Sequence, residues 1–75
     1  MSQRKLRDKI KVFLRQQDIS KDGIIRIRFK RNELAEFLSV NRSALSRELS
    51  AMQEDGILTV DGNSFHILDR TFLLS

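Results

Sequence analysis

The stretch SVNRSALSREL, Ser39 to Leu49, decides how this chain is read. Asn41 is a good helix N-cap, because its short side chain can accept from an amide two or three residues on. Counted at about 100° per residue, Leu45, Leu49 and Met52 fall together as an apolar stripe. Ser43, Ser46, Arg47 and Ser50 land on the opposite side, and Glu48 lies off to one flank. The next acids, Glu54 and Asp55, come only toward the end, which Gly56 closes as a left-handed cap. A helix over residues 42–55 therefore shows an outward face that is rich in donors and free of negative charge over its first turns. A face that must enter a groove walled by phosphates needs those properties. A merely solvated amphipathic helix can also have them, so the neighbouring sequence must decide.

Upstream, residues 31–38 form a short helix with Leu34, Phe37 and Leu38 on its inner side. Ser39-Val40-Asn41 leaves room only for a tight turn, so the two helices make a helix-turn-helix whose second helix reads a groove. Downstream, ILTVDGNSFHIL (57–68) reads as two alternating strands around Asp61-Gly62, a strong hairpin signal. Leu6, Ile10, Phe13 and Leu14 recur at helical spacing, which predicts an amphipathic helix over residues 4–17. Lys5, Arg7, Lys9, Lys11 and Arg15 stay off its apolar stripe. DISKDG is turn chemistry, and Ile24–Phe29 then alternates, with Ile25, Ile27 and Phe29 facing one way and Arg26 and Arg28 the other. The expected fold is α+β, mainly α: a winged helix-turn-helix of three helices, a C-terminal β-hairpin wing and an extra strand after the first helix. Residues 1–75 make one domain, without repeats, linkers or prolines.

Composition narrows the function classes. With no cysteine, neither disulfides nor thiolate metal sites are available. The chain is 40% hydrophobic and 32% charged, which suits a globular domain rather than a disordered tail. No apolar run approaches a membrane span, and the charged, periodic start MSQRKLRDKIKVFL is no secretory signal, so a cytoplasmic protein is expected. The net charge of +4 is uneven. Residues 1–31 hold eleven Lys/Arg against three Asp, and residues 32–75 hold three Arg against seven acids. A basic half points to a polyanionic partner.

From Arg31 onward the sequence resembles the C-terminal DNA-binding domain of the Crp/Fnr family, the cyclic-AMP receptor and fumarate–nitrate regulators. The residues that carry this are RNELAEFLSVNRSALSRELSAMQEDGIL (31–58) and VDGNSFHILD (60–69), with a weaker extension to RKLRDKIKVFL (4–14). The resemblance implies a bacterial transcription regulator. It also implies that Arg42 and Arg47, at the helix start and five residues on, go to base edges or nearby phosphates. Arginine can hold guanine O6 and N7 in a bidentate manner, so Arg47 is the candidate for direct readout. Asn41, Lys30 and Arg31 match positions that touch phosphate. Three positions depart from the pattern: Ser43 stands where the best-known members carry glutamate, Lys30 where a Thr cap is usual, and Ser39 where the turn often has glycine. The familiar operator therefore does not transfer, and the turn is expected to be slightly strained. The family's members are dimers with an N-terminal sensor domain that binds a small molecule. The chain is accordingly expected to be a fragment with no cofactor of its own, whose effector would bind the missing sensor. The longer protein would be a homodimer, while the domain alone could be monomeric.

The candidate DNA contacts are thus Arg42, Ser43, Ser46, Arg47, Ser50, Asn41, Lys30, Arg31 and, at the wing tip, Asn63. His66 alternates with Phe65 and Ile67 and reads as an exposed wing residue rather than a metal ligand. Lys21-Asp22-Gly23 and Asp61-Gly62-Asn63 fit turns better than phosphate loops. Phe13, Phe29, Phe37, Phe65 and Phe72 are assigned to the core, Phe72 least firmly because it lies in the tail. The sequence offers no nucleophile–base pair or glycine-rich cradle, so catalysis is not expected. The rival reading is a winged helix that docks an acidic protein through its basic surface. It would depend on residues 4–15 and be indifferent to Ser43 and Arg47.

Overall fold

The apolar spacing of Leu6, Ile10, Phe13 and Leu14 makes helix α1, Ser2–Arg15, and all four side chains are buried. A computed structural model describes residues 2–74, with side chains from Lys5 onward. The helix stops two residues short of the predicted end. There the Gln16 and Gln17 amides donate to Phe13 O and Leu14 O at 3.1 Å, a tightened i→i+3 turn of the kind that closes helices. Strand β1, Ile24–Arg26, is half the predicted length. Its partner decides this: β1 pairs with residues 64–66, after which that strand turns back, and only one more bond, Ile27 N to Asn63 O at 2.8 Å, extends the ladder. Arg28 and Phe29 have no strand to pair with.

Helices α2, Arg31–Phe37, and α3, Arg42–Glu54, form the helix-turn-helix. Each ends in the same Schellman motif, with 6→1 and 5→2 bonds around a left-handed residue. For α2, Val40 N donates to Ala35 O at 2.9 Å and Ser39 N to Glu36 O at 3.0 Å. For α3, Ile57 N donates to Met52 O at 3.0 Å and Gly56 N to Gln53 O at 3.1 Å. Gly56, at φ 73°, takes the left-handed position freely, whereas Ser39 is held there at φ 59° and is the sole non-glycine with positive φ among the described residues. The strain expected of the turn is real, and it sits at Ser39.

The wing consists of β2, Leu58–Asp61, and β3, Ser64–Ile67, and the sheet order is β1-β3-β2, antiparallel throughout. Asp61 pairs with Ser64, so the two loop residues are Gly62 and Asn63, one step later than the Asp61-Gly62 turn read from the sequence. Only Gly62 of these has positive φ, 59°, which is the pattern of a type II′ rather than a type I′ turn. A short helix α4, Thr71–Leu74, not foreseen in the sequence, ends the described chain and packs on α1.

The core joins α1, the inner faces of α2 and α3, and the sheet, with Leu45, Leu58 and Phe65 essentially inaccessible. Two of the five phenylalanines depart from their assignment. Phe29 is 37% exposed and Phe37 59% exposed. On the short α2 the core is met by Leu34, Ala35 and Leu38, which turns Phe37 to the flank. There it lies 5.6 Å from Phe29 in a stack and 5.5 Å from Phe13 edge-on, a surface aromatic group instead of core. Phe72 is partly buried against the core.

Relief of the left-handed backbone at Ser39 competes with the extra unfolded-chain freedom of glycine. The first is about 1–2 kcal/mol and the second roughly 0.5–1 kcal/mol. Ser39→Gly should therefore stabilise the domain by up to about 1 kcal/mol, seen as a higher denaturation midpoint at unchanged m-value.

Candidate nucleic-acid interface

The cap expected at Asn41 forms: its Oδ1 accepts from Ser43 N at 2.8 Å, which sets where α3 starts. Burial of Leu45, Leu49 and Met52 then fixes which side of α3 looks outward. Arg42, Ser43, Ser46, Arg47 and Ser50 are all exposed on that side, and Asn41 stands at its N-terminal end. At the other end of the face, Gln53 Oε1 accepts from Val60 N at 3.1 Å and ties α3 to the wing.

Glu48 differs from its expected place on the flank. It is 4% exposed, and Arg7 Nε of α1 donates to its Oε2 at 2.6 Å. Arg7 Nη1 also reaches Asp55 Oδ2 at 3.1 Å. The hydrogen bond to Glu48 is the main reason that the Arg7 pKa rises above its ordinary value; burial opposes it and Asp55 adds to it. The carboxylate nearest the outward face in sequence is thus turned away from it and neutralised. A signal for this existed: at about 100° per residue Glu48 falls roughly 40° from Met52, beside the apolar stripe.

Arg31 connects the helix-turn-helix to the wing. Its Nη2 donates to Gly62 O at 3.1 Å, and its guanidinium carbon lies 5.3 Å from the centre of the Phe65 ring. Burial first, and the charge of Arg42 second, lowers its pKa. Two like charges therefore face one region, and among the described residues neither has a carboxylate partner. Such a pair suits a bound anion. Lys30 adds an exposed ammonium next in sequence. Its side chain gives no cap; the Glu33 carboxylate accepts from the Lys30 amide at 2.9 Å instead. Asn63 is exposed at the wing tip, beside the Gly62 carbonyl that Arg31 holds. The structure so gathers eight of the nine candidates around α3 and the Arg31 junction and sets Asn63 on the adjoining wing. Arg7, which holds Glu48, and Gln53, which ties α3 to the wing, were not picked out from the sequence.

His66 is exposed between buried Phe65 and Ile67, as its strand alternation implied. Among the described residues no group of three or more His, Cys, Asp or Glu is placed to hold a metal ion, and no helix is long and apolar enough to cross a membrane.

Residues 2–75 match the Crp-like helix-turn-helix domain. The chain belongs to that family. Crp-like domains are the DNA-binding parts of transcription regulators. Among solved structures, FixK2 from Bradyrhizobium japonicum superposes with a TM-score of 0.77 at 22% identity, over 92% of this chain and 36% of that one. DNR from Pseudomonas aeruginosa gives 0.77 at 22%, over 97% of this chain and 34% of its own. Reduced, ligand-free CprK gives 0.69 at 15%, over 92% and 34%. At these identities the likeness bears on the fold alone, and this Crp-like domain spans about a third of each neighbour's length. No curated protein matches the sequence.

Arg31→Met keeps the apolar stem and removes both wing contacts. The domain should lose about 1–2 kcal/mol, and amide exchange at Gly62–Ser64 should quicken.

Proposed function

We propose that this chain is the sequence-specific double-stranded-DNA-binding domain of a bacterial transcription regulator, with α3 in the major groove. The observation that carries this is the outward face of α3, where Arg42, Ser43, Ser46, Arg47 and Ser50 are exposed and Glu48 is withdrawn beneath Arg7. Arg47, in the middle of the face, is the base reader, and the serines complete the readout with short donors and acceptors. Lys30, Arg31, Asn41 and Asn63 hold the backbone on either side. Asn41 uses its oxygen as the cap, so its amide nitrogen remains to donate to a phosphate. In a dimeric regulator two such domains would sit about 34 Å apart on a two-fold site.

Docking of an acidic protein through the basic first helix has less support. Of the six basic residues in its sequence, Arg7 is bound to Glu48 and Asp55, Lys9 donates to Leu38 O at 3.2 Å, and Lys11 lies 4.0 Å from Asp8. Two of these cations thus face carboxylates of the same chain, and a third is tied to a backbone carbonyl. What does favour a protein partner is the exposed Phe29–Phe37 stack.

Selection of bound duplexes from a random DNA library at low salt is the test. The expected result is an enriched motif of a few base pairs and a steep loss of binding with added salt. Arg47→Ala should then weaken binding to that motif by about 1–3 kcal/mol and relax one position, while Lys30→Ala should weaken all sequences alike. No retention of any duplex would overturn the reading in favour of protein docking, and retention indifferent to Arg47 would overturn the placement of α3 in the groove.

A further inference from the structure

We infer that Arg7 is a positioning residue for DNA recognition: from α1 it binds Glu48 and Asp55 and sets the fine roll of α3. The inference rests on the DNA-binding reading above and assigns a role to a residue outside the contact surface.

Three observations carry it. First, the two bonds span 41 and 48 residues of sequence, at 2.6 and 3.1 Å, so no local constraint of helix or turn produces them. Second, Glu48 and Asp55 lie about two turns apart on the same side of α3. A single guanidinium that grips both resists rotation of the helix about its axis as well as its translation. Base reading tolerates roughly 10–20° of such error before side-chain donors miss their acceptors. Third, the Glu48 side chain is 3% exposed. A buried carboxylate is costly to desolvate, and an apolar pair of similar size stabilises a fold at least as well. Stability alone therefore gives little reason for an ion pair here, next to Met52 and Leu49. Placement of the helix gives one. Glu48 directly follows Arg47, so a contact that holds Glu48 also holds the backbone from which Arg47 projects.

The test uses the full chain with two duplexes: the half-site recovered by selection and a scrambled sequence of equal composition. Arg7→Gln removes the clamp and leaves the carboxylates. The paired replacement Arg7→Met with Glu48→Leu removes the ion pair but keeps the packing, and it guards against the first variant failing to fold. Circular dichroism and melting establish that each variant is folded at the assay temperature. The expected result is a loss of half-site affinity by roughly 3- to 30-fold in Arg7→Gln. The Met/Leu pair should melt no lower than the wild type yet discriminate less between half-site and scrambled DNA. Wild-type affinity and discrimination in the folded Met/Leu pair would overturn the inference and leave Arg7 a residue of the fold only. A wild-type chain that retains no DNA at low salt would overturn the DNA reading itself, a failure visible before any variant is compared.

Discussion

Burial of one stripe on α3 governs the rest of the molecule. Leu45 and Met52 are wholly inaccessible and Leu49 nearly so, because α1 covers one side of this stripe and the sheet the other. Three large apolar side chains in register along a helix hold it to one coarse orientation, since any large roll returns some of that surface to water. Once the stripe is fixed, the opposite side is fixed too, and that is where the serines and arginines stand. The cap at Asn41 and the Schellman closure at Gly56 then define how much helix carries this surface.

Electrostatics follow the same geometry. Arg7 and Arg31 are both half-withdrawn arginines that link distant parts of the chain, but they do opposite things to the surface charge. Arg7 answers two carboxylates and so subtracts negative charge from the neighbourhood of α3. Arg31 answers only a carbonyl and an aromatic ring, so its positive charge remains, close to that of Arg42. Among the described residues, the cations where α3 begins lack carboxylate partners, and Glu48, where α3 packs, is buried. Net charge reports neither fact. The basic excess of the first 31 residues reads as a polyanion-binding half, yet three of the six cations in the α1 sequence have a partner within the fold.

Strained or irregular points also have physical causes that belong to the whole domain. Ser39 stays in the left-handed region because the Schellman bonds from Val40 and Ser39 require that conformation, and packing of α2 against α3 holds both ends of the turn. The stacked Phe29 and Phe37 meet because β1 ends early and α2 is short, so two residues that alternation and helical spacing assign to the interior are left at the surface over Phe13.

By itself, the sequence determined the main elements that depend on neighbours within a few positions. The 3.6-residue period of Leu45, Leu49 and Met52, the period of two through Phe65 and Ile67, the Asn41 cap and the glycine closure at Gly56 are local properties of the backbone, and all four are found as read. The winged helix-turn-helix follows from their order. Tertiary structure decided what depends on residues far apart. The Arg7–Glu48 pair spans 41 residues and the Arg31–Gly62 bond 31, and a side chain's partner at such separations is set by how the elements pack. The same holds for the end of β1, which its partner strand fixes. The hairpin tip is a local feature that the pairing of Asp61 with Ser64 nonetheless moves by one residue. Periodicity tells which side of an element is buried; it is silent on what lies across from it.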